Sequence, residues 1–151
     1  MNSMINKINT IILVLFYLAV PAVSAEQSKD FGDYTVHYSA FTTDILSPAV
    51  AKAYRITRSK NRAMINVSIL KKVMGTTGTP SKAAVIANAT NLNNQLREVE
   101  FREVLEEGAI YYLAELPVNN GETLKFSLNI IPEGESEAYK FSFQEQFVTN
   151  Y

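Results

Sequence analysis

The chain has 151 residues, with 14 Lys or Arg against 15 Asp or Glu, one histidine and no cysteine. That inventory excludes disulfides, thiolate metal centres, thiol nucleophiles and multi-histidine zinc sites, and a formal net charge of −1 argues against a nucleic-acid partner. At 47% hydrophobic residues the chain can bury a real core, but it is too short for two domains of ordinary size.

At the N-terminus, Lys7 precedes the unbroken apolar run IILVLFYLAV at residues 11–20, and Val23-Ser24-Ala25 offers small residues where a signal peptidase cuts. The run is too short to span a bilayer, which takes about 20 apolar residues. The expectation is a signal peptide over residues 1–25, cleaved after Ala25, leaving one domain over 26–151 with no transmembrane segment. A bridge-free exported domain suits the bacterial periplasm.

Residues 33–41 (DYTVHYSAF) then read as a strand, with Tyr34, Val36, Tyr38 and Ala40 on one face and Asp33, Thr35, His37 and Ser39 on the other. Ser47-Pro48 has the form of an N-cap followed by proline at the first helical position, which opens a short helix through about Ile56. Residues 64–73 form a strand with Ile65, Val67 and Ile69 inward. Gly75, Gly78 and Pro80 break the chain before a weaker strand at 84–92. Residues 96–105 alternate Val99, Phe101 and Leu105 against Glu98, Glu100 and Arg102, and Gly108 turns the chain into a strand at 109–116. Asn119-Asn120-Gly121 and Pro132-Glu133-Gly134 bound a strand whose inner face is Leu124, Phe126, Leu128 and Ile130. The last strand, 139–148, aligns Tyr139, Phe141, Phe143 and Phe147. Seven strands, each with one apolar face, must pack as two sheets or close into a barrel. Length and strand count fit an all-β, seven-stranded immunoglobulin-like β-sandwich with one short helix, without the cysteine pair and tryptophan of antibody domains.

Charge is unevenly distributed. Residues 45–97 carry nine Lys or Arg and no acid, whereas residues 98–151 carry eleven acids and three bases. A fold that packs the halves together brings the opposite charges into register across strands.

Several of these segments resemble a family. DFGDYTVHYSAF (30–41), YRITRSK (54–60), INVSILKK (65–72), EFREV (100–104) with GAIYYLAEL (108–116), ETLKFSLNI (122–130) and FSFQEQF (141–147) are similar to the small proteobacterial exported proteins grouped as domain of unknown function 4426. The resemblance covers essentially the whole chain after residue 25. It implies an all-β, immunoglobulin-like periplasmic domain, and it implies no activity and no site residues.

Candidate chemistry therefore rests on the residues themselves. His37 is the one candidate general base, with Ser39 or Ser59 as nucleophile, but Asp33 on the same strand lies about 13 Å away at strand rise. The acidic loop EGESE (133–137) lacks the ligand spacing of a calcium site. In KAYRITRSKNR (52–62), Lys52, Arg55, Arg58 and Arg62 recur at helical spacing, as on a solvated helix face. Arg58 and Lys60 fall where the helix should have ended, at a loop able to grip an anion, although Arg58 could instead pair with Glu98 or Glu100. The expected function is a non-catalytic binding or structural module of the cell envelope, with no cofactor and no metal. Its ligand-binding candidates are Arg58, Lys60 and His37, and its partner is an envelope protein, a peptide, an envelope glycolipid or another anionic ligand. The alternative is a small hydrolase-like enzyme centred on His37.

Overall fold

The period-2 alternation resolves into ten strands and one short helix in the computed structural model, which describes residues 27–150. The expected signal peptide lies outside the described residues. The strands are β1 (Gln27–Phe31), β2 (Tyr34–Thr42), β3 (Arg62–Lys71), β4 (Thr79–Pro80), β5 (Ala83–Asn91), β6 (Leu96–Val99), β7 (Arg102–Glu106), β8 (Ala109–Pro117), β9 (Glu122–Pro132) and β10 (Tyr139–Phe147). Helix α1 spans Pro48–Ala53 after a single 3-10 turn at Thr43–Ile45. The first sheet runs β1-β2-β3-β8-β7, with β4 added beside β3, and the second runs β10-β9-β5-β6. Every strand pair is antiparallel.

Seven strands are thus replaced by ten, for three physical reasons. β1 (QSKDF) has no apolar alternation because it is an exposed edge, so hydrophobic patterning misses it. β4 is two residues long. The run 96–105 is divided between sheets: β6 pairs β5 in the second sheet and β7 pairs β8 in the first. The alternation continues through the crossing, which is why the sequence reads as one strand. Val99 is buried on the core side, Phe101 in the crossing is only half-buried, and Leu96 and Leu105 are exposed.

The two inner faces meet as expected elsewhere. Tyr34, Val36, Tyr38, Ala40, Ile65, Val67 and Ile69 from the first sheet pack on Leu124, Phe126, Leu128, Ile130, Phe141, Phe143 and Phe147 from the second. Rings form the seam: Tyr38 lies 4.9 Å from Phe141 and 4.7 Å from Phe143, and Phe31 stacks on Tyr139 at 4.9 Å.

A second, smaller apolar cluster covers the outside of the first sheet. Ala51 and Ile56 from the helical connection cover Met64 and Leu113, with Phe41, Leu46, Tyr54, Val104 and Tyr111 around them. This explains why Ala63, Met64 and Ile65 are buried in succession: at that end β3 is covered on both faces.

Ser47 caps α1 through its hydroxyl, which accepts the Val50 N–H at 3.2 Å. The helix ends at Ala53, three residues before the expected Ile56. Ile56 N–H bonds the Ala51 carbonyl at 2.8 Å and Arg55 N–H bonds that of Lys52 at 3.2 Å. This is the Schellman pattern, sealed by apolar contact between Ile56 and Ala51.

The two charge halves do meet. Arg62 faces Glu115 at 3.7 Å, Lys82 faces Glu103 at 3.4 Å and Arg97 pairs with Glu122, each cation from the basic half and each acid from the other. The Arg97 pair is the most sheltered. From β6 in the second sheet its Nη1 donates to the Pro117 carbonyl in the first at 2.9 Å, while Glu122 also accepts the Asn119 N–H at 2.9 Å. Burial alone would raise the Glu122 carboxyl, but the Asn119 N–H and the Arg97 guanidinium outweigh it and hold it below its ordinary value of 4.5.

Two outcomes follow. Phe126→Ala, at a position with 0% exposure, costs about 3–5 kcal/mol in urea denaturation, and Phe101→Ala costs clearly less; equal losses would place Phe101 in the core after all. Because folding lowers the Glu122 pKa, the pair stabilises fully above the unfolded value and its contribution fades as pH falls through the folded one. Glu122→Gln is therefore expected to cost about 1.5–3 kcal/mol at pH 7, and the gap from wild type narrows in melts run progressively below pH 4.5.

Candidate functional site

The basic stretch is organised from beneath by one buried hydroxyl. Thr43 is fully buried, and its Oγ1 accepts the Ser59 N–H at 2.9 Å while lying 2.7 Å from the Thr57 carbonyl oxygen, to which it donates. Ser59 Oγ in turn accepts the Asn61 N–H at 3.1 Å. These bonds fix the backbone of residues 57–61, so the neighbouring Arg58 and Lys60 side chains are presented to solvent from a rigid base.

Arg58 does not reach Glu98 or Glu100. Its Nη2 donates to the Asp44 carbonyl at 2.9 Å, because the 3-10 turn passes directly beside the loop while β6 belongs to the other sheet. One of five guanidinium donors is thereby used. Arg62 is half-buried against Glu115 rather than a free surface charge. Lys52 is exposed, as expected.

His37 stands elsewhere. It is half-buried on the outer face of β2, directly across from Ser28 of β1 and Ser68 of β3. Six residues of strand separate it from Thr43, about 20 Å at strand rise, so the fold does not bring it together with Arg58 and Lys60. Asp33 is in the turn before β2, not on its outer face. The nearer acid is Asp30, which accepts the Thr35 hydroxyl at 2.7 Å and faces Lys72 at 3.3 Å. The Thr35 hydroxyl first, then Lys72 and more weakly His37, hold Asp30 below the usual carboxylate range. In the EGESE loop, Glu135 accepts the Tyr34 hydroxyl at 3.1 Å. Among the described residues no three His, Asp or Glu side chains gather as a metal site.

A further constellation escaped the sequence reading. Ala53, Tyr54 and Arg55 at the end of α1, with Arg102, Val104 and Glu106 of β7, line a cleft of about 330 Å³. Arg55 has φ +55°, a left-handed conformation that costs a non-glycine residue roughly 1–2 kcal/mol. Glycine is the usual occupant at this position of a Schellman motif. Arg102 Nη2 donates to the Tyr54 carbonyl, and burial followed by a hydrogen bond to Glu106 pushes the Tyr54 phenol up. The sequence signal that could have marked the helix end is Ile56, an apolar residue at the position that packs back on Ala51. Nothing in the sequence pairs Arg55 with Arg102, 47 positions later.

Comparison with known proteins gives family and fold. No functionally curated protein matches the chain. A crystal structure of a DUF4426 family protein from Pseudomonas aeruginosa superposes with a TM-score of 0.71 at 40% identity, covering 83% of this chain and 97% of that one. FetP of uropathogenic Escherichia coli strain F11, produced in the periplasm, shares the fold at 11% identity and a TM-score of 0.58, over 83% of this chain and 95% of its own. A copper-bound variant of FetP does so at 11% and 0.56, over 83% and 96%. The profile described as "Domain of unknown function (DUF4426)" matches residues 28–150, and with those residues spanning both sheets, the chain belongs to the DUF4426 family.

Proposed function

We propose that this chain is a non-catalytic binding module of the bacterial cell envelope, exported to the periplasm after loss of residues 1–25, with a protein, peptide or anionic glycolipid as partner. The observation that carries the reading is the rigid presentation of exposed Arg58 and Lys60 on a loop pinned by the buried Thr43 hydroxyl. A fixed backbone lowers the ordering cost of binding, and a guanidinium with most donors open suits a carboxylate or phosphate. The periplasmic production of FetP is in keeping with the compartment.

An immunoglobulin-like description belongs to the same reading. With β1 and β4 set aside, β2-β3-β8-β7 facing β10-β9-β5-β6 parallels the A-B-E-D and G-F-C orders of that fold with one strand added beside C. Copper does not carry over from FetP, because the residues do not fit it: His37 is the one histidine, there is no cysteine, and no three His, Asp or Glu side chains cluster among the described residues.

The alternative, a hydrolase centred on His37, draws support from Ser28 and Ser68 directly opposite it. Against it, the Asp30 carboxylate is held by Thr35 and Lys72, whereas the acid of a triad is given over to orienting its histidine.

Intact-mass measurement of periplasmic protein is expected to give a chain beginning at Glu26; retention of residues 1–25 in a membrane fraction contradicts export. In-cell crosslinking with mass spectrometry is expected to capture a partner with wild type and lose it with Arg58→Ala/Lys60→Ala. That double variant should melt within about 1 kcal/mol of wild type, as exposed charges do. Undiminished crosslinking would sink the role of this loop, and a fluorogenic ester turned over by wild type but not by His37→Ala would move the assignment to the enzyme.

A further inference from the structure

The cleft at the end of α1 sits beside an open strand edge. Among the described residues β7 is the last strand of the first sheet and pairs only β8, so its outer backbone N–H and C=O groups offer a template for an added strand. Val104, half-buried, forms an apolar floor. Arg55 and Arg102 converge on the cleft at the start of β7, and Glu106 marks the strand's other end. Among the described residues the Arg55 side chain has no hydrogen bond or ion pair, whereas Arg102 uses a single donor on the Tyr54 carbonyl. The position of Arg55 is itself informative. A left-handed backbone at φ +55° favours glycine, yet the residue there is a long, unpaired cation that lines the cleft.

We infer that this edge binds the C-terminal segment of an extended peptide, which adds as a strand to β7 with its terminal carboxylate held by Arg55 and Arg102. The inference rests on the binding-module reading above and gives it a ligand class. Polarity follows from charge. A carboxylate at the Arg102 end and a cationic side chain at the Glu106 end run the peptide antiparallel to β7, the direction whose ladder hydrogen bonds lie perpendicular to the strands. Paired guanidinium donors match a carboxylate, and Val104 accepts the apolar last side chain.

The probe is the acetylated pentapeptide KVTVL, made once with a free carboxylate and once as the amide, titrated into isotopically labelled protein and followed by NMR. The carboxylate form is expected to bind at least tenfold more tightly, with the largest shifts at residues 102–106 and at Arg55. Arg55→Gly should abolish that preference while melting no lower than wild type, since glycine relieves the left-handed backbone. That combination separates loss of a ligand contact from loss of fold. Equal affinity for the amide, a preference that survives Arg55→Gly, shifts centred on β10 or β1 instead, or no shift at millimolar peptide would each overturn the inference. Retained in-cell crosslinking by Arg55→Gly would refute this ligand class while leaving the binding-module reading intact.

Discussion

Closure of the two sheets on a seam of aromatic rings is the constraint on which the rest of the molecule depends. A sandwich of this size is often pinned by a disulfide between sheets with a tryptophan packed on it, and this chain has no cysteine and no tryptophan. Rings from both sheets take that place. Tyr38 of β2 reaches Phe141 and Phe143 of β10, Phe143 stacks on Phe126 of β9 at 5.0 Å, and Phe126 meets Phe147 edge-on at 6.4 Å. Each such pair adds about 0.5–1.5 kcal/mol beyond area burial. A one-residue slip of β10 would turn Phe141, Phe143 and Phe147 to solvent together, so the seam also fixes the register against β9.

Charge acts on the same topology. The chain crosses between sheets several times, so acids from its second half come to lie beside bases from its first. β8 returns next to β3 and sets Glu115 beside Arg62, and the β9 start brings Glu122 to Arg97. Exposed pairs contribute little to stability. The sheltered one does more structurally, because Arg97 also bonds the Pro117 carbonyl and so joins the edge of one sheet to the end of a strand in the other. The asymmetry read along the sequence is therefore met within the fold at three pairs, Arg62–Glu115, Lys82–Glu103 and Arg97–Glu122. Arg55, Arg58 and Lys60, on the connection from α1 to β3, are exposed.

The inner faces of β2, β3, β9 and β10 were legible because burial on one side only writes a period of two directly into the residues. The departures have equally local causes. β1 reads as polar because its residues before Phe31 are exposed at the sheet edge. The 96–105 run keeps its alternation while the backbone changes sheets between Val99 and Arg102, and composition carries no trace of a hand-over that preserves phase. The helical spacing of Lys52, Arg55, Arg58 and Arg62 is coincidental beyond Ala53, since only Lys52 is in the helix. Of the three site candidates, the exposure of Arg58 and Lys60 at the end of a connection was readable. The Thr43 hydroxyl that fixes their loop was not, because a buried threonine forming bonds across 14 to 16 positions has no sequence signature.

The same connection presents two cationic features that obey different physics. Arg58 extends from a backbone at rest, and its carbonyl partner Asp44 is supplied by the neighbouring turn; it could be replaced with little structural consequence. Arg55 occupies a backbone position where most side chains are disfavoured, and the Schellman bonds at Lys52 and Ala51 hold it there. The smallest relief, glycine, would satisfy those same bonds, because they use the backbone alone. Strain kept at a residue whose side chain contributes no bond to the fold is an outlier from which a functional hypothesis can start. The Arg55 guanidinium lines the cleft that α1 shares with β7, which is where the inferred carboxylate contact would be made.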